Sequence, residues 1–139
     1  MDIRPYVHKV MYYETDKMGV THHSNYIRFM EEARIDYLEK IGYPYSRMIE
    51  EGVISPVVSV GCDFKKPTTF ADEIVVDVKL VSYTGVKFVF GYVMTNRNTG
   101  DVVVTGQTEH CFTSVEGLPV IIKKRFPEMH EHFIKLIEK

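Results

Sequence analysis

The sequence predicts an α+β domain: a long helix near the N-terminus, then an antiparallel sheet, then a C-terminal helix. Apolar residues recur at helical spacing early in the chain, alternate with polar residues in the middle, and return to helical spacing in the tail. Helices segregated from an antiparallel sheet define the α+β class. A chain of 139 residues is expected to form one domain, residues 1–139, since domains commonly contain about 100–150 residues.

The first elements follow from apolar spacing and from the residues that end it. Residues 7–13 are predicted as a strand that leads into an acidic loop. Over residues 26–41 one apolar stripe at helical spacing predicts the long helix, with Ser24 as its capping residue. Gly42 ends this helix, and a short helical turn is expected at 45–51.

The middle and the tail of the chain supply the sheet and the last helix. After the helical segments a strand is predicted over residues 54–64, and three further strands are predicted over 73–83, 86–95 and 102–113. Turn residues separate the last three strands, which predicts an antiparallel meander. Residues 127–138 carry apolar side chains on one side of a terminal helix.

Composition limits the classes of function. The net charge of −2 argues against a nucleic-acid partner, because such proteins usually carry a basic stripe. Cys62 and Cys111 fit no zinc or redox spacing and are expected as small buried apolar residues in a reducing compartment. The chain shows no signal-peptide pattern and no apolar run of about 20 residues. A cytoplasmic protein without a membrane span is therefore expected.

The segment 13–26 carries the candidate chemistry. It passes through an acidic, glycine-bearing loop directly to the predicted start of the long helix. Free N–H groups at a helix N-terminus favour negative charge. The order of residues therefore predicts that Asp16, as base or nucleophile, lies close to a site for an oxyanion. The alternative is that Asp16 is an ordinary turn or capping residue.

A set of spaced residues extends over nearly the whole chain: Tyr13-x-Thr15-Asp16-x-x-Gly19-Val20-x-x-His23-x-Asn25-Tyr26, Arg28-Phe29, Ala33-Arg34, Phe64-x-x-Pro67 and Asp72-Glu73-Ile74. This set resembles the hydroxybenzoyl-CoA thioesterase family, including the bacterial branch often found beside cell-envelope transport genes. The resemblance implies a hotdog fold, in which a curved antiparallel sheet of about five strands wraps the long helix. It also implies a homodimer or homotetramer with active sites at the dimer interface.

The resemblance implies roles for individual residues. Asp16 matches the catalytic carboxylate, which would act as nucleophile or general base. His23 matches the position whose backbone N–H polarises the thioester carbonyl. The positions expected to shape the loop and position the substrate are Thr15, Gly19, Val20, Asn25 and Tyr26.

Other candidate sites keep two interpretations. The family's basic cluster at the 84–86 turn is missing, so Lys87 and Lys66 are the candidates for contacts with CoA, although each can also be an ordinary surface lysine. The pair His22-His23 suggests a metal, but adjacent residues at a helix start are expected to diverge and no third ligand has a recognised spacing. No metal is therefore expected.

The aromatic face formed by Phe88, Phe90 and Tyr92 is expected to be core rather than an acyl pocket.

Together these observations predict an acyl-CoA thioesterase that hydrolyses an acyl-CoA to the free acid and CoA. Its only coenzyme would be the CoA of the substrate. An acyl-carrier-protein thioesterase on the same scaffold is one alternative. A non-catalytic acyl-CoA-binding or interaction module is another, because a fold does not determine function. A hotdog hydratase is less favoured, since those enzymes pair the acid with a histidine in a different arrangement. The acyl group is left open.

Overall fold

The long helix α1 spans Ser24–Lys40 and packs against a five-stranded antiparallel sheet. The computed structural model describes residues 3–137. The strands are β1 (Tyr6–Lys9), β2 (Val53–Ile54), β3 (Val57–Phe64), β4 (Glu73–Tyr83), β5 (Lys87–Asn96), β6 (Val102–Cys111) and β7 (Thr113–Ser114). The other helices are α2 (Tyr45–Glu50), α3 (Ile122–Arg125) and α4 (Pro127–Ile137). No helix in this part of the chain is long and apolar enough to cross a membrane.

The main sheet has the strand order β1-β4-β5-β6-β3, and β2 pairs with β7 in a small second sheet. The predicted meander is confirmed, because β4, β5 and β6 are consecutive antiparallel neighbours. The predicted aromatic face is buried core: Phe88, Phe90 and Tyr92 are at most 3% exposed. One long helix on a five-stranded antiparallel sheet, with a helix at the C-terminal end, is the α+β arrangement expected from the sequence.

Helix α1 lies very close to the sheet at Gly106 of β6. The helix buries Phe29, Met30 and Ala33 completely. A Cβ atom at Gly106 would overlap the Met30 methyl group and would lie 2.7 Å from the carbonyl oxygen of Gly61 on β3. Glycine is therefore what allows both the helix and the neighbouring strand to approach β6 at this position.

Three predicted elements differ from the observed ones. The predicted strand 54–64 is divided into β2 and β3, because Pro56 has no N–H to donate to a ladder. The predicted strand 102–113 is divided at Phe112 into β6 and β7. The first strand stops at Lys9 because Tyr12–Glu14 form a 3-10 turn. The last residue of the predicted terminal helix, Glu138, lies outside the described residues.

Strand β3 is an outer strand of the main sheet and presents an apolar edge. Val57, Val58, Val60 and Phe64 on this strand are between 42% and 53% exposed. An unpaired edge strand exposes backbone N–H and C=O groups that can pair with another chain. This edge is therefore a candidate surface for association.

The two cysteines are only partly buried, and both are free thiols. The expectation of small buried apolar residues is thus met in part. Burial raises the pKa of the Cys62 thiol, which lowers the fraction of reactive thiolate.

Candidate active site

The acidic loop comprises residues 15–21. It is a tight turn whose two end residues, Thr15 and Thr21, form an isolated antiparallel bridge. The Asp16 N–H donates to the Val20 carbonyl oxygen at 2.8 Å, and the Gly19 N–H donates to the Asp16 carbonyl oxygen at 3.0 Å. Gly19 has a φ of 81°, a left-handed conformation that glycine adopts without a steric penalty. The backbone of the acidic loop therefore strongly favours glycine at this position.

The acidic loop is anchored to Thr68, which is fully buried. The Thr21 hydroxyl oxygen lies 2.6 Å from the Thr68 hydroxyl oxygen, and the Tyr26 hydroxyl lies 2.8 Å from the same atom. Val20 forms an isolated bridge with Thr69. Tyr26 and Val20, both predicted to position the substrate, thus make contacts that hold the loop in place.

The Asp16 carboxylate is partly buried, and one of its oxygens is already engaged. Oδ1 accepts the Met18 N–H at 2.8 Å, an interaction of the kind that Asp makes in turns. The other oxygen has no hydrogen-bond partner among residues 3–137. Just before it, the Thr15 hydroxyl donates to the Tyr12 carbonyl oxygen at 2.7 Å. Asp16 therefore does stabilise the turn through one carboxylate oxygen, and its second carboxylate oxygen remains available.

The His23 N–H is an uncommitted donor at the start of α1. The His22 N–H donates to the Glu14 carbonyl oxygen at 2.9 Å. The Ser24 N–H donates to His22 Nδ1 at 3.2 Å, and the Asn25 N–H donates to the His22 carbonyl oxygen at 3.0 Å. Within the described residues the His23 N–H has no acceptor. It is thus the free donor at the positive end of the helix dipole.

The prediction that Ser24 caps α1 is wrong. Ser24 is the first residue of the helix, and His23 occupies the position before it without a side-chain capping bond. The Ser24 hydroxyl instead lies 2.8 Å from His22 Nδ1. The His22 imidazole takes over the capping role, because its nitrogen accepts the Ser24 N–H.

Sequence reasoning missed two buried residues, His8 and Glu14, that contact each other beside the acidic loop. Glu14 Oε1 accepts the Met11 N–H at 2.8 Å and lies 2.8 Å from His8 Nε2. Asn25, a predicted positioning residue, donates its side-chain N–H to the Glu14 carbonyl oxygen at 2.8 Å. A glutamate two positions before Asp16 needs a partner when it is buried, and His8 in the preceding segment was the available signal.

The prediction that the His22 and His23 side chains diverge is also wrong. Their rings stack with centroids 4.3 Å apart. Both residues precede α1, so the angular separation of successive helical residues does not apply to them. His23 also lies edge-on to Phe64 of β3, with ring centroids 6.1 Å apart. No group of three or more His, Cys, Asp or Glu side chains that could hold a metal ion occurs among residues 3–137.

A cleft of about 250 Å³ opens beside the start of α1. This helix-start cleft is lined by Thr21, His23, Tyr26, Phe64, Lys65, Lys66 and Pro67. Lys66 Nζ lies 3.3 Å from an Asp101 carboxylate oxygen in an exposed ion pair. The structure therefore brings one of the two predicted lysines to the neighbourhood of His23.

Lys87 is not brought to this cleft within one protomer. In the sheet register Phe64 pairs with Val104, and Val104 pairs with Met94 on the strand that Lys87 begins. From residue 87 to residue 94 the strand extends about 23 Å at roughly 3.3 Å per residue. Lys87 Nζ instead lies 4.0 Å from a Glu109 carboxylate oxygen.

Comparison with known proteins agrees with this architecture. Residues 10–136 match the thioesterase-like superfamily. A Bacillus subtilis (strain 168) relative, whose name marks it as a candidate acyl-CoA thioesterase (YneP), is 34% identical over 128 residues, covering 91% of this chain and 92% of the relative. A 1,4-dihydroxy-2-naphthoyl-CoA hydrolase of Thermosynechococcus vestitus is 29% identical over 109 residues, covering 78% and 74% of the two chains.

A solved structure shares the whole fold. The DHNA-CoA thioesterase of Staphylococcus aureus superposes with a TM-score of 0.90 and 32% identity, covering 95% of this chain and 89% of that chain. The hotdog fold and the family resemblance expected from the sequence are thereby confirmed. The chain belongs to the thioesterase-like superfamily and is a thioester hydrolase of the hotdog fold.

Proposed function

We propose that this protein is an acyl-CoA thioesterase in which Asp16 and the His23 N–H act on the thioester carbonyl. One observation carries the proposal: a carboxylate with an available oxygen and a helix-start N–H without an acceptor belong to the same loop-helix junction. The Asp16 N–H bonds to the carbonyl of Val20, which is three residues before His23. A three-residue segment spans at most about 11 Å, so both groups can reach one substrate.

The reaction joins a thioester and a water to give a carboxylate and the CoA thiol. Asp16 either attacks the acyl carbon to form a mixed anhydride, which water then opens, or removes a proton from the attacking water. In both routes the carbonyl oxygen becomes an oxyanion that accepts the His23 N–H. One such donor contributes about 10²–10³ in rate. Neither route requires a metal or a cofactor.

The relatives support CoA as the leaving group, since they are named acyl-CoA thioesterase or naphthoyl-CoA hydrolase. In this chain the helix-start cleft carries Lys65 and Lys66, whose ammonium groups suit the phosphates of CoA. The ion pair of Lys66 with Asp101 is exposed, and such pairs contribute only about 0–1 kcal/mol. A phosphate can therefore replace Asp101 as the partner of Lys66 at little cost.

The active protein is proposed to be a homodimer joined along β3, alone or as part of a homotetramer. The apolar edge strand supports this assembly. Antiparallel pairing of two copies about the strand midpoint would set the Phe64 end of one β3 beside the Val57 end of the other. The helix-start cleft would then lie at the interface. The Lys87 end of the second copy would also lie on that side, so Lys87 stays a candidate for CoA binding.

The test is Asp16→Asn, which keeps the size of the side chain and removes its charge. Thiol release from a panel of short, long and aromatic acyl-CoAs should fall by at least about 10²-fold, in line with the loss of a catalytic acid or base. Asp77→Asn, at an exposed site on β4, is the matched control and should retain the parent rate. Parent-like hydrolysis by Asp16→Asn would remove Asp16 from the mechanism.

The same assay separates the alternative functions. A carrier-protein thioester that is hydrolysed much faster than the matching CoA thioester would identify an acyl-carrier-protein thioesterase. Binding of acyl-CoA by the parent protein without turnover of any thioester would identify a binding module.

A further inference from the structure

An inner cavity of about 250 Å³ lies beside α1, at the Val57 end of β3 and far from the acidic loop. Most of its wall is apolar and includes Leu38, Met48, Phe88 and Phe133. An apolar cavity of about 150 Å³ already binds benzene. The inner cavity of one protomer therefore has room for a group somewhat larger than one aromatic ring, which favours a short acyl group over a long fatty chain.

A chain of hydrogen bonds joins three residues of the cavity wall, Arg34, His110 and Ser55, through the buried side chains of Tyr92 and Thr108. Arg34 Nη1 lies 3.2 Å from the Tyr92 hydroxyl, which lies 2.6 Å from the Thr108 hydroxyl. The Thr108 hydroxyl lies 2.8 Å from His110 Nε2, and His110 Nδ1 lies 3.2 Å from the Ser55 carbonyl oxygen. A guanidinium only donates and a carbonyl oxygen only accepts. Tyr92 therefore accepts from Arg34, and His110 Nδ1 carries the proton that it donates to the Ser55 carbonyl oxygen.

The direction of the two middle bonds depends on the charge of His110: a neutral imidazole with its proton on Nδ1 accepts at Nε2 from Thr108, which then accepts from Tyr92. Burial, and secondly the charge of Arg34, lower the pKa of His110 to about 4. The imidazole is thus uncharged near neutral pH, and its Nε2 accepts from Thr108. The hydroxyl hydrogens of Tyr92 and Thr108 are both committed within the chain.

Arg34 alone has donors to spare in this chain of hydrogen bonds. Of its five N–H groups, one is accounted for by Tyr92. In the part of the protein that the structure describes, no carboxylate lies within 4.0 Å of its guanidinium, although Glu31 stands on the same cavity. A partly buried guanidinium without an anionic partner is costly unless an acceptor completes it.

We propose that the inner cavity is the acyl subsite, and that it takes a short acyl group whose far end carries an acceptor oxygen for Arg34. A carboxylate or a hydroxyl would supply this oxygen. The inference rests on the proposed thioesterase function and names the substrate class of that site. Phe88 and Phe90 line the cavity, so the aromatic face contributes to the core and to this subsite together.

The subsite and the catalytic groups of one active site come from different protomers. Within one protomer the cavity and the helix-start cleft lie at opposite ends of β3, and along α1 Arg34 lies 11 residues after His23, about 17 Å at roughly 1.5 Å per residue. A short acyl group cannot cover that distance. Antiparallel pairing of two β3 strands brings the inner cavity of one copy beside the helix-start cleft of the other.

Three acyl-CoAs of equal chain length test the subsite: hexanoyl-CoA, 6-hydroxyhexanoyl-CoA and adipoyl-CoA. We expect kcat/KM of the parent to be at least about tenfold higher for an oxygen-bearing substrate than for hexanoyl-CoA, as a hydrogen bond to a charged group provides. Arg34→Met should abolish this preference. Arg34→Lys keeps the charge without the planar fork and should retain part of it. Arg97→Met, at an exposed arginine remote from the cavity, is the control.

Each result of these assays supports or overturns either the acyl subsite or the proposed function. The substrate that is preferred, carboxylate or hydroxyl, identifies the source of the oxygen. Hydrolysis of all three substrates without preference, or a preference that survives Arg34→Met in a folded variant, overturns the subsite and leaves the thioesterase standing. If the parent hydrolyses only long-chain acyl-CoAs and none of these three substrates, the subsite is also overturned and the thioesterase function stands. If the parent hydrolyses no thioester, the proposed function itself fails.

A mixed dimer tests the assignment to two protomers. Differently tagged Asp16→Asn and Arg34→Met chains are co-expressed, and the dimer carrying both tags is purified. If Asp16 and Arg34 of one site come from different protomers, one site keeps both residues, and the parent preference returns. If they come from the same protomer, the site with Asp16 lacks Arg34, and hydrolysis without preference overturns the assignment.

Discussion

The side-chain amide of Asn25 donates to the backbone carbonyl oxygen of Glu14 at 2.8 Å. This bond ties the first turn of α1 to the residue two positions before Asp16, so it holds the helix start against the acidic loop. The same carbonyl also accepts the His22 N–H at 2.9 Å. The Asn25 side chain thus has a structural contact with the segment that leads into the acidic loop.

Asn25→Asp should slow the reaction and weaken the fold slightly, because a carboxylate cannot donate to a carbonyl oxygen. We expect a loss of about 1 kcal/mol in the free energy of unfolding, the usual contribution of one hydrogen bond. Steady-state kinetics should show a fall in kcat that exceeds any rise in KM. Asn98→Asp, in the exposed turn after β5, is the control. Parent-like kinetics for Asn25→Asp would separate this bond from catalysis.

Gly19→Ala should strain the acidic loop through its backbone alone. A Cβ atom there would meet nothing within 4 Å, but φ is 81°, which costs a residue with a Cβ about 1–2 kcal/mol. Gly19→Asn should be milder, since asparagine tolerates the left-handed region. Urea unfolding and thiol release measured on both variants would check the order. Equal effects of alanine and asparagine would contradict the backbone explanation.

Gly106→Ala should destabilise the protein by about 1–3 kcal/mol, as expected for overpacking. The added methyl group would overlap Met30 and lie 2.7 Å from the Gly61 carbonyl oxygen, a backbone atom held by the β3–β6 pairing. Thermal unfolding is the measurement, with Gly61→Ala as the control because its Cβ would meet nothing within 4 Å. A Gly106→Ala variant as stable as the parent would contradict the close packing of α1 on β6.

The stability contributed at His110 should depend on pH in a defined window. Its pKa is about 4 in the folded protein against 6.5 for a free imidazole, so between these values the unfolded chain binds more protons. The stability that this residue contributes must therefore fall as the pH is lowered from 6.5 to 4, by at most about 1.4 kcal/mol per pH unit.

Urea unfolding of the parent and of His110→Gln at several pH values would measure this effect. Glutamine does not titrate, so the stability difference between the two proteins should shrink as the pH falls through the window. A difference that stays constant with pH would show that His110 is not held neutral by its surroundings.

Much of the local structure follows from sequence patterns. Strand β4 has the predicted bounds, 73–83, because strict alternation between turn residues leaves little freedom. Asp16 could be selected as the candidate carboxylate from the spacing of its neighbours, since the loop, its glycine and the helix start are contiguous in the chain. Contiguous signals of this kind did not reveal the stacked rings of His22 and His23, because the ring positions depend on Phe64, which lies on β3.

By itself, the amino-acid order determined the fold class, most of the elements and the candidate carboxylate, since periodicity, turn residues and a short motif act over neighbouring positions. Only the tertiary structure decided which groups are left without partners. The free His23 N–H depends on where Glu14 and His22 place their acceptors. The spare donors of Arg34 depend on Tyr92, Thr108 and His110, which pairing across the sheet brings together. Whether a donor or an acceptor finds a partner depends on residues that are distant in the sequence and meet only in the folded protein. No single segment of the sequence therefore predicts it.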